Sequence, residues 1–274
     1  MRKPLDLPAG PHNSPRVSPN GQSLAWWTED ANESNVWIYG LNGAVPARRL
    51  TFGGRNYRPI WTSDSQRIAF TSDREGDQAL FWQAADGSGS AERLFKSEQG
   101  MRLQSESWLP DGRALIFSAV GVGIWMVAPG SPEKPKPLLA AGGNPNLSPD
   151  GRWLAYYSTE SGRSEVYVQP FPITGGKYQV STRGGDNALW SPDGKQLFYL
   201  SNPANEQRQI LAVDIQTEPS FVVGKTTPLP IQVMQSGARD YDITPDGRYF
   251  VALFPPSQAN SNKSPSEQIY VTLN

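Results

Sequence analysis

Seven residues define the chemistry open to this chain. Asn13, Glu106, Asn144, Asp186, Asn187, Asp240 and Asp242 each stand a few residues ahead of a recurring turn. Hard cations such as Ca²⁺ take roughly six to eight oxygen ligands, from carboxylates, amide carbonyls and water. Asn13, Glu106, Asn144, Asn187, Asp240 and Asp242 are the candidate metal ligands. An ion held there would polarise an ester or phosphoryl oxygen and orient a carboxylate or water for attack. Asp186 and Asp240 are the candidate nucleophile or base. His12, the only histidine, is an additional candidate proton carrier.

Two other readings of these positions stay open. Asn and Asp ahead of a strand also cap turns or hold channel water. Arg16, Arg58 and Arg239 stand in the same segments ahead of the turns and would build an anion site, or pair with Asp186 and Asp240. His12 taken alone reads as an ordinary loop residue.

Composition closes several alternatives. The 274 residues contain no cysteine, which removes disulfides, thiolate catalysis and thiolate metal sites. One histidine cannot build a multi-His zinc site, and no G-x-S-x-G elbow accompanies it. GSGSA from Gly87 is the nearest string, and it sits in an inter-strand loop. P-loop and dinucleotide fingerprints are missing. The formal net charge is −1 with scattered Lys and Arg, so a duplex nucleic acid partner is not expected. No apolar run is long enough to insert into a membrane. The start, MRKPLDLPAGP, carries charge without an apolar stretch behind it. The chain therefore reads as cytoplasmic as given, or as a mature or excised extracytoplasmic domain.

The elements that must position these residues come from a six-fold repeat. Turn segments begin at Ser18, Thr62, Leu109, Ser148, Ser191 and Thr244, at intervals of 39 to 53 residues. Such a period predicts a β-propeller with about four strands per blade. Pro-Asp-Gly or Pro-Asn-Gly supplies a preset φ, a self-capping side chain and a residue free to take positive φ. Ser63-Asp64-Ser65 lacks the Gly, and a slacker turn is expected there. After each turn, Leu24, Ile68, Leu115, Leu154, Leu197 and Phe250 match. Two residues on stand Trp26, Phe70, Phe117, Tyr156, Tyr199 and Ala252, a strand period. A second strand carries Trp37, Phe81, Trp125, Tyr167, Leu211 and Tyr270, expected as core between blades. Five outer strands follow their blades. The sixth is expected from KPLDLPAG, beginning at Lys3, paired with the C-terminal QIYVTL. The expected fold is therefore all-β: one domain, residues 1–274, a six-bladed propeller whose N-terminal strand closes the last blade. Closure leaves no free sheet edge, so a monomer is expected.

FTSDREGDQALFWQAADGSGSAERL from Phe70 and WSPDG at Trp190 resemble the PD40 repeats of TolB-type, WD40-like propellers. The segment from Val166, VYVQPFPITGGKYQVSTRGG, is similar to propeller sensor regions of bacterial serine/threonine kinases and some winged-helix regulators. Similar propellers form the non-catalytic domain of prolyl oligopeptidase-type enzymes. The resemblance implies a bacterial sensor or docking module, with a small molecule or protein bound at the central channel. It carries over no catalytic residue. The resemblance to six-bladed lactonases and phosphotriester-cleaving propellers is one of architecture and composition only. It implies the alternative, a Ca²⁺-dependent and promiscuous hydrolase.

Overall fold

Apolar residues at every second position give each repeat strands with a buried face, and tight turns fold them into antiparallel sheets. The computed structural model describes residues 3–8, 10–29, 33–43, 46–97, 100–131, 133–202, 208–234, 239–254 and 268–273. Behind a short strand β1 (Lys3–Pro4), the first repeat forms β2 (His12–Val17), β3 (Ser23–Glu29), β4 (Ser34–Gly40) and β5 (Arg48–Arg49). The second forms β6 (Asn56–Trp61), β7 (Arg67–Ser72), β8 (Ala79–Ala84) and β9 (Glu92–Lys96). The third forms β10 (Leu103–Trp108), β11 (Leu115–Ala119), β12 (Gly123–Val127) and β13 (Lys136–Leu139). The fourth forms β14 (Gly143–Leu147), β15 (Trp153–Ser158), β16 (Glu165–Pro170) and β17 (Tyr178–Gln179). The fifth forms β18 (Gly185–Trp190), β19 (Gln196–Ser201), β20 (Arg208–Gln216) and β21 (Val222–Val233). The last forms β22 (Tyr241–Ile243), β23 (Tyr249–Phe254) and β24 (Gln268–Leu273).

Among the described residues these strands make six four-stranded sheets, the sixth ordered β1-β24-β23-β22. The chain is an all-β propeller. It divides into two units, one of Met1–Ser105 with Val233–Asn274 and one of Glu106–Gln232.

Within the first unit, Lys3 pairs with Val271 and Pro4 with Tyr270. The strand is shorter than the expected 3–10. Leu5 still donates its N–H to the Ile269 carbonyl at 3.0 Å, but Pro8 and Pro11 have no N–H to extend the ladder. Leu5 and Leu7 pack on a core of Val17, Leu24, Trp26, Val251, Leu253 and Ile269, so the first and last sheets share one apolar cluster.

The large residues face one another across the strands. Trp26 lies opposite Trp37, Phe70 opposite Phe81, Phe117 opposite Trp125, Tyr156 opposite Tyr167 and Tyr199 opposite Leu211. Ring centroids are 6.2 Å apart in the Trp26–Trp37 pair. Burial is less uniform than expected. Phe81 and Tyr167 are buried, whereas Trp37, Trp125 and Leu211 are only half-buried. The Tyr270 side chain lies outside the described residues.

Five of the six turns share one construction, Leu109 offering no hydroxyl in the third. The hydroxyl of Ser18, Thr62 or Ser191 donates to the side chain two residues on, at 2.7, 2.6 and 2.7 Å. That side chain also accepts a backbone N–H, as Asp64 does from Gln66 at 2.9 Å. These bonds hold the Asp64 carboxyl below the usual range, the Thr62 hydroxyl first and the Gln66 N–H second. Asp193 is lowered in the same way by Ser191 and Lys195. The turn without glycine is not slack. The Ser65 N–H donates to the Thr62 carbonyl at 2.9 Å, with Ser65 forced to φ 61°. Its hydroxyl accepts the Asn20 N–H of the preceding turn at 3.1 Å, an offset to the strain of a left-handed non-glycine residue.

Candidate functional site

In four of the six sheets the first strand is kinked, and Asn13, Asn144, Asp186 and Asn187 stand at those kinks. Ser14, Arg58, Asn144 and Asn187 have φ of 48°, 55°, 49° and 54°, the left-handed region. Each coincides with a register shift against the next strand, between Asn13 and Arg16, Tyr57 and Ile60, Gly143 and Asn146, and Asp186 and Leu189. One strand supplies an extra residue, bends, and re-aims its neighbours. Asn tolerates this conformation better than Ser or Arg. The kink recurs over three residue types, which marks it as part of the repeat's architecture.

In the first unit the structure gives each candidate a packing role. His12 opens β2 and is 2 % exposed, its ring 6.1 Å from that of Trp26. It is a buried strand residue, neither a loop residue nor an exposed proton carrier. Asn13 is half-buried opposite Trp27. Asp240 has no exposed surface, and its carbonyl accepts the Leu253 N–H at 2.9 Å. The Asp242 carboxylate accepts the Val17 N–H at 2.9 Å, a bond from the last sheet to the first. Arg239 lies 3.7 Å from its other oxygen. Arg16 is buried and donates to the carbonyls of Pro15 and Arg239 at 2.8 and 2.9 Å. Arg16 and Arg239 are thus turned to the protein itself and do not form the expected anion site with Arg58.

In the second unit, Asn144, Asn187 and Asp186 do come together. The Asn144 amide donates to the Asn187 side-chain oxygen at 2.6 Å, and the Asn187 amide donates to Asp186 at 2.7 Å. Asp186 then pairs with Arg208, which also donates to the Ser201 carbonyl at 3.0 Å. Arg208 is buried, so its charge is compensated within the fold. Glu106 is buried in β10. Position 242 has counterparts here. Asn146 accepts the Trp190 N–H at 3.0 Å, and the Ser107 hydroxyl accepts the Leu147 N–H at 3.4 Å. Asp242, Asn146 and Ser107 occupy the same repeat position and bind each sheet to the next.

Asn144, Asn187, Asp186 and Arg208 satisfy one another. A cation at Asp186 would face the Arg208 guanidinium and would break the Asn144–Asn187 bond. Among the described residues no group of three or more His, Cys, Asp or Glu is arranged to hold a metal ion. The hydrogen-bonded set does not fit Ca²⁺ in this arrangement. Arg208 was not singled out in the sequence because it stands 22 residues beyond Asp186, and only the register of β18, β19 and β20 brings them together.

Comparison with known proteins agrees with this architecture. Residues 2–136 match the PD40 family, described as the TolB beta propeller domain. The chain is a propeller that resembles the TolB-type PD40 family over these residues. The uncharacterized peptidase YuxL of Bacillus subtilis (strain 168) is 32 % identical over 113 residues, 38 % of this chain and 16 % of that protein. The Tol-Pal system protein TolB of Francisella tularensis subsp. tularensis (strain WY96-3418) is 27 % identical over 197 residues, 67 % of this chain and 45 % of that protein. The matches thus span less than half the length of these relatives. The crystal structure of TolB from Acinetobacter baumannii superposes with a TM-score of 0.73 at 18 % identity, over 92 % of this chain and 64 % of that one. Among the described residues no helix is long and apolar enough to cross a membrane.

Proposed function

We propose that this chain is a binding propeller, a sensor or docking module without catalysis of its own, acting as a monomer. In this reading its six sheets form one six-bladed ring, and a small molecule or protein docks at the channel mouth. The observation that carries it is the state of the polar residues ahead of the turns. Asp186 is neutralised by Arg208, and Asp242 is bonded to Val17 beside Arg239. A nucleophile or general base needs an unsatisfied, accessible group poised against substrate. Asp240 and His12 are buried instead. The Francisella relative, named as a protein of the Tol-Pal system, supports a role within an assembly.

The alternative is the Ca²⁺-dependent hydrolase of lactones, esters or phosphotriesters. It draws on the clustering of Asn144, Asn187 and Asp186, and requires that cluster to open around the ion. A screen of purified protein on chromogenic esters, lactones and phosphotriesters separates the two. The binding-module reading expects no turnover above that of Asp186→Asn, with or without chelator. Chelator-sensitive turnover that Asp186→Asn abolishes would establish the hydrolase.

A further inference from the structure

A cleft of about 430 Å³ opens in the first unit, where β3 ends and β6 begins. Its wall carries a corner of two aromatic rings. Trp27 and Tyr57 have centroids 5.9 Å apart and planes inclined at 54°. Such a corner packs against the flat, apolar face of a ring.

The polar groups on this wall are mostly donors, and the hydrogen bonds show why. The Leu103 N–H can only donate, and it does so to the Gln78 side-chain oxygen at 3.1 Å. That contact fixes the orientation of the amide. The Gln78 nitrogen therefore faces the Tyr57 phenol and donates to it. Tyr57 is the acceptor in that bond, so its own O–H is left to donate. Burial, followed by Asp73, raises the pKa of this phenol against the opposing effect of Arg102, Arg58 and Arg55. The proton accordingly stays in place at neutral pH. The indole N–H of Trp27 is buried without an acceptor among the described residues.

The charge of the wall points the same way. Arg55, Arg58 and Arg102 line it, against the carboxylates of Glu29 and Asp73. One Asp73 oxygen already accepts the Arg55 backbone N–H at 2.6 Å. Arg55 and Arg102 are exposed, and neither guanidinium has an ion-pair partner among the described residues. A phenol O–H and two such guanidiniums want an acceptor-rich anion.

We propose that this cleft binds a small organic anion, a carboxylate or phosphate monoester carried on a ring with an apolar face. The volume is in the range of ordinary small-molecule pockets, roughly 300–1,000 Å³. The site uses none of Asn13, Glu106, Asn144, Asp186, Asn187, Asp240 and Asp242, and shares Arg58 with the kinked positions. It differs from the expected Arg16, Arg58 and Arg239 cluster by drawing its cations from Arg55 and Arg102.

The test is calorimetric titration of the full chain with phenyl phosphate, benzoate and glucuronate, beside the neutral phenol and methyl glucoside. At least one anion should bind with Kd below about 1 mM. Its neutral counterpart should bind at least about 10-fold more weakly, and Arg102→Ala and Tyr57→Phe should each weaken the anion about 10-fold. Raising the salt concentration should weaken it further. Preference for phenyl phosphate or for the carboxylates assigns the head group, and either supports the site. Arg102 is exposed, so its variant should keep the parent melting temperature, and Tyr57→Phe keeps the ring in place. The proposal fails if none of the anions saturates, if the neutral compounds bind equally well, or if Arg102→Ala leaves affinity unchanged.

Discussion

Replacing Asp242 separates a structural role from a metal-binding one. Its carboxylate accepts the Val17 N–H at 2.9 Å, joining residues 225 positions apart. Arg239 lies 3.7 Å away, and both side chains are nearly buried, at 11 % and 9 % exposure. In Asp242→Ala the Val17 N–H loses its acceptor in a buried place, a cost of about 1–3 kcal/mol. Arg239 loses its neighbouring charge as well. The 3.7 Å separation makes that loss smaller than for a close buried pair, so we add about 1 kcal/mol. The expected total is about 3 kcal/mol, or roughly 5–10 °C in melting temperature for a chain of this size. Asp242→Asn keeps an acceptor oxygen and should cost only about 1 kcal/mol. The assay is thermal unfolding of the three proteins in chelator and in millimolar Ca²⁺. A melting temperature of Asp242→Ala within about 1 °C of the parent would refute the reasoning. So would a Ca²⁺-dependent stabilisation of the parent that both variants lose, since Asp242 would then be a ligand.

Three further outcomes follow from the same structure. Asp64 and Asp193 have carboxyl pKa values lowered by turn hydrogen bonds, so they contribute stability that is present above the unfolded-state pKa, near about 4, and lost as pH falls through the folded value. Urea midpoints should therefore drop below about pH 4, and the drop should be shallower in Asp64→Asn with Asp193→Asn; parallel curves for parent and variant would count against the turn account. Phe81→Ala removes a ring with no exposed surface and should cost about 3–5 kcal/mol in denaturant unfolding, an expectation contradicted by a loss under about 1 kcal/mol. Removing residues 1–10 uncovers the edge of β24 and strips Leu5 and Leu7 from the apolar cluster they pack on, so it should cost several kcal/mol, and an unchanged melting temperature would mean that β1 contributes nothing to the last sheet.

Period-2 alternation made the strands legible, and it did so down to register. Leu24 and Trp26 identify one face of β3, and Trp26 then meets Trp37 directly across the hairpin. The pairing of Lys3–Pro4 with β24 was legible because KPLDLPAG repeats the pattern of KPLLAAGG. The kinked position was legible as a column of the repeat, at Ser14, Arg58, Asn144 and Asn187, but its left-handed φ was not. Nothing in Arg58 as a residue type announces positive φ. Ser65 shows the converse, since a turn that lacks its glycine is kept, against the strain of a positive φ, by the bond to Asn20. The site was less legible because its meaning depends on partners distant in the chain. Asp186 reads as a candidate nucleophile until Arg208 is beside it. Asp242 reads as a ligand until Val17 is seen to bond it. His12 reads as a loop residue because β2 begins on it, ahead of the apolar pattern that marks a strand. The cleft at Trp27 was not foreseen, because its cations come from the segments leading into β6 and β10.

The central proposal is that Asp186, Asn187, Asn144 and Asp242 are satisfied by the protein and that the chain binds rather than catalyses. Calorimetric titration of Ca²⁺ into chelator-stripped protein tests it most directly. The account predicts no saturable heat and no rise in melting temperature at millimolar Ca²⁺, because Arg208 holds the Asp186 charge and the Asn144–Asn187 bond stays closed. A saturable one-to-one isotherm that disappears in Asn187→Ala would contradict it and return the channel residues to metal chemistry.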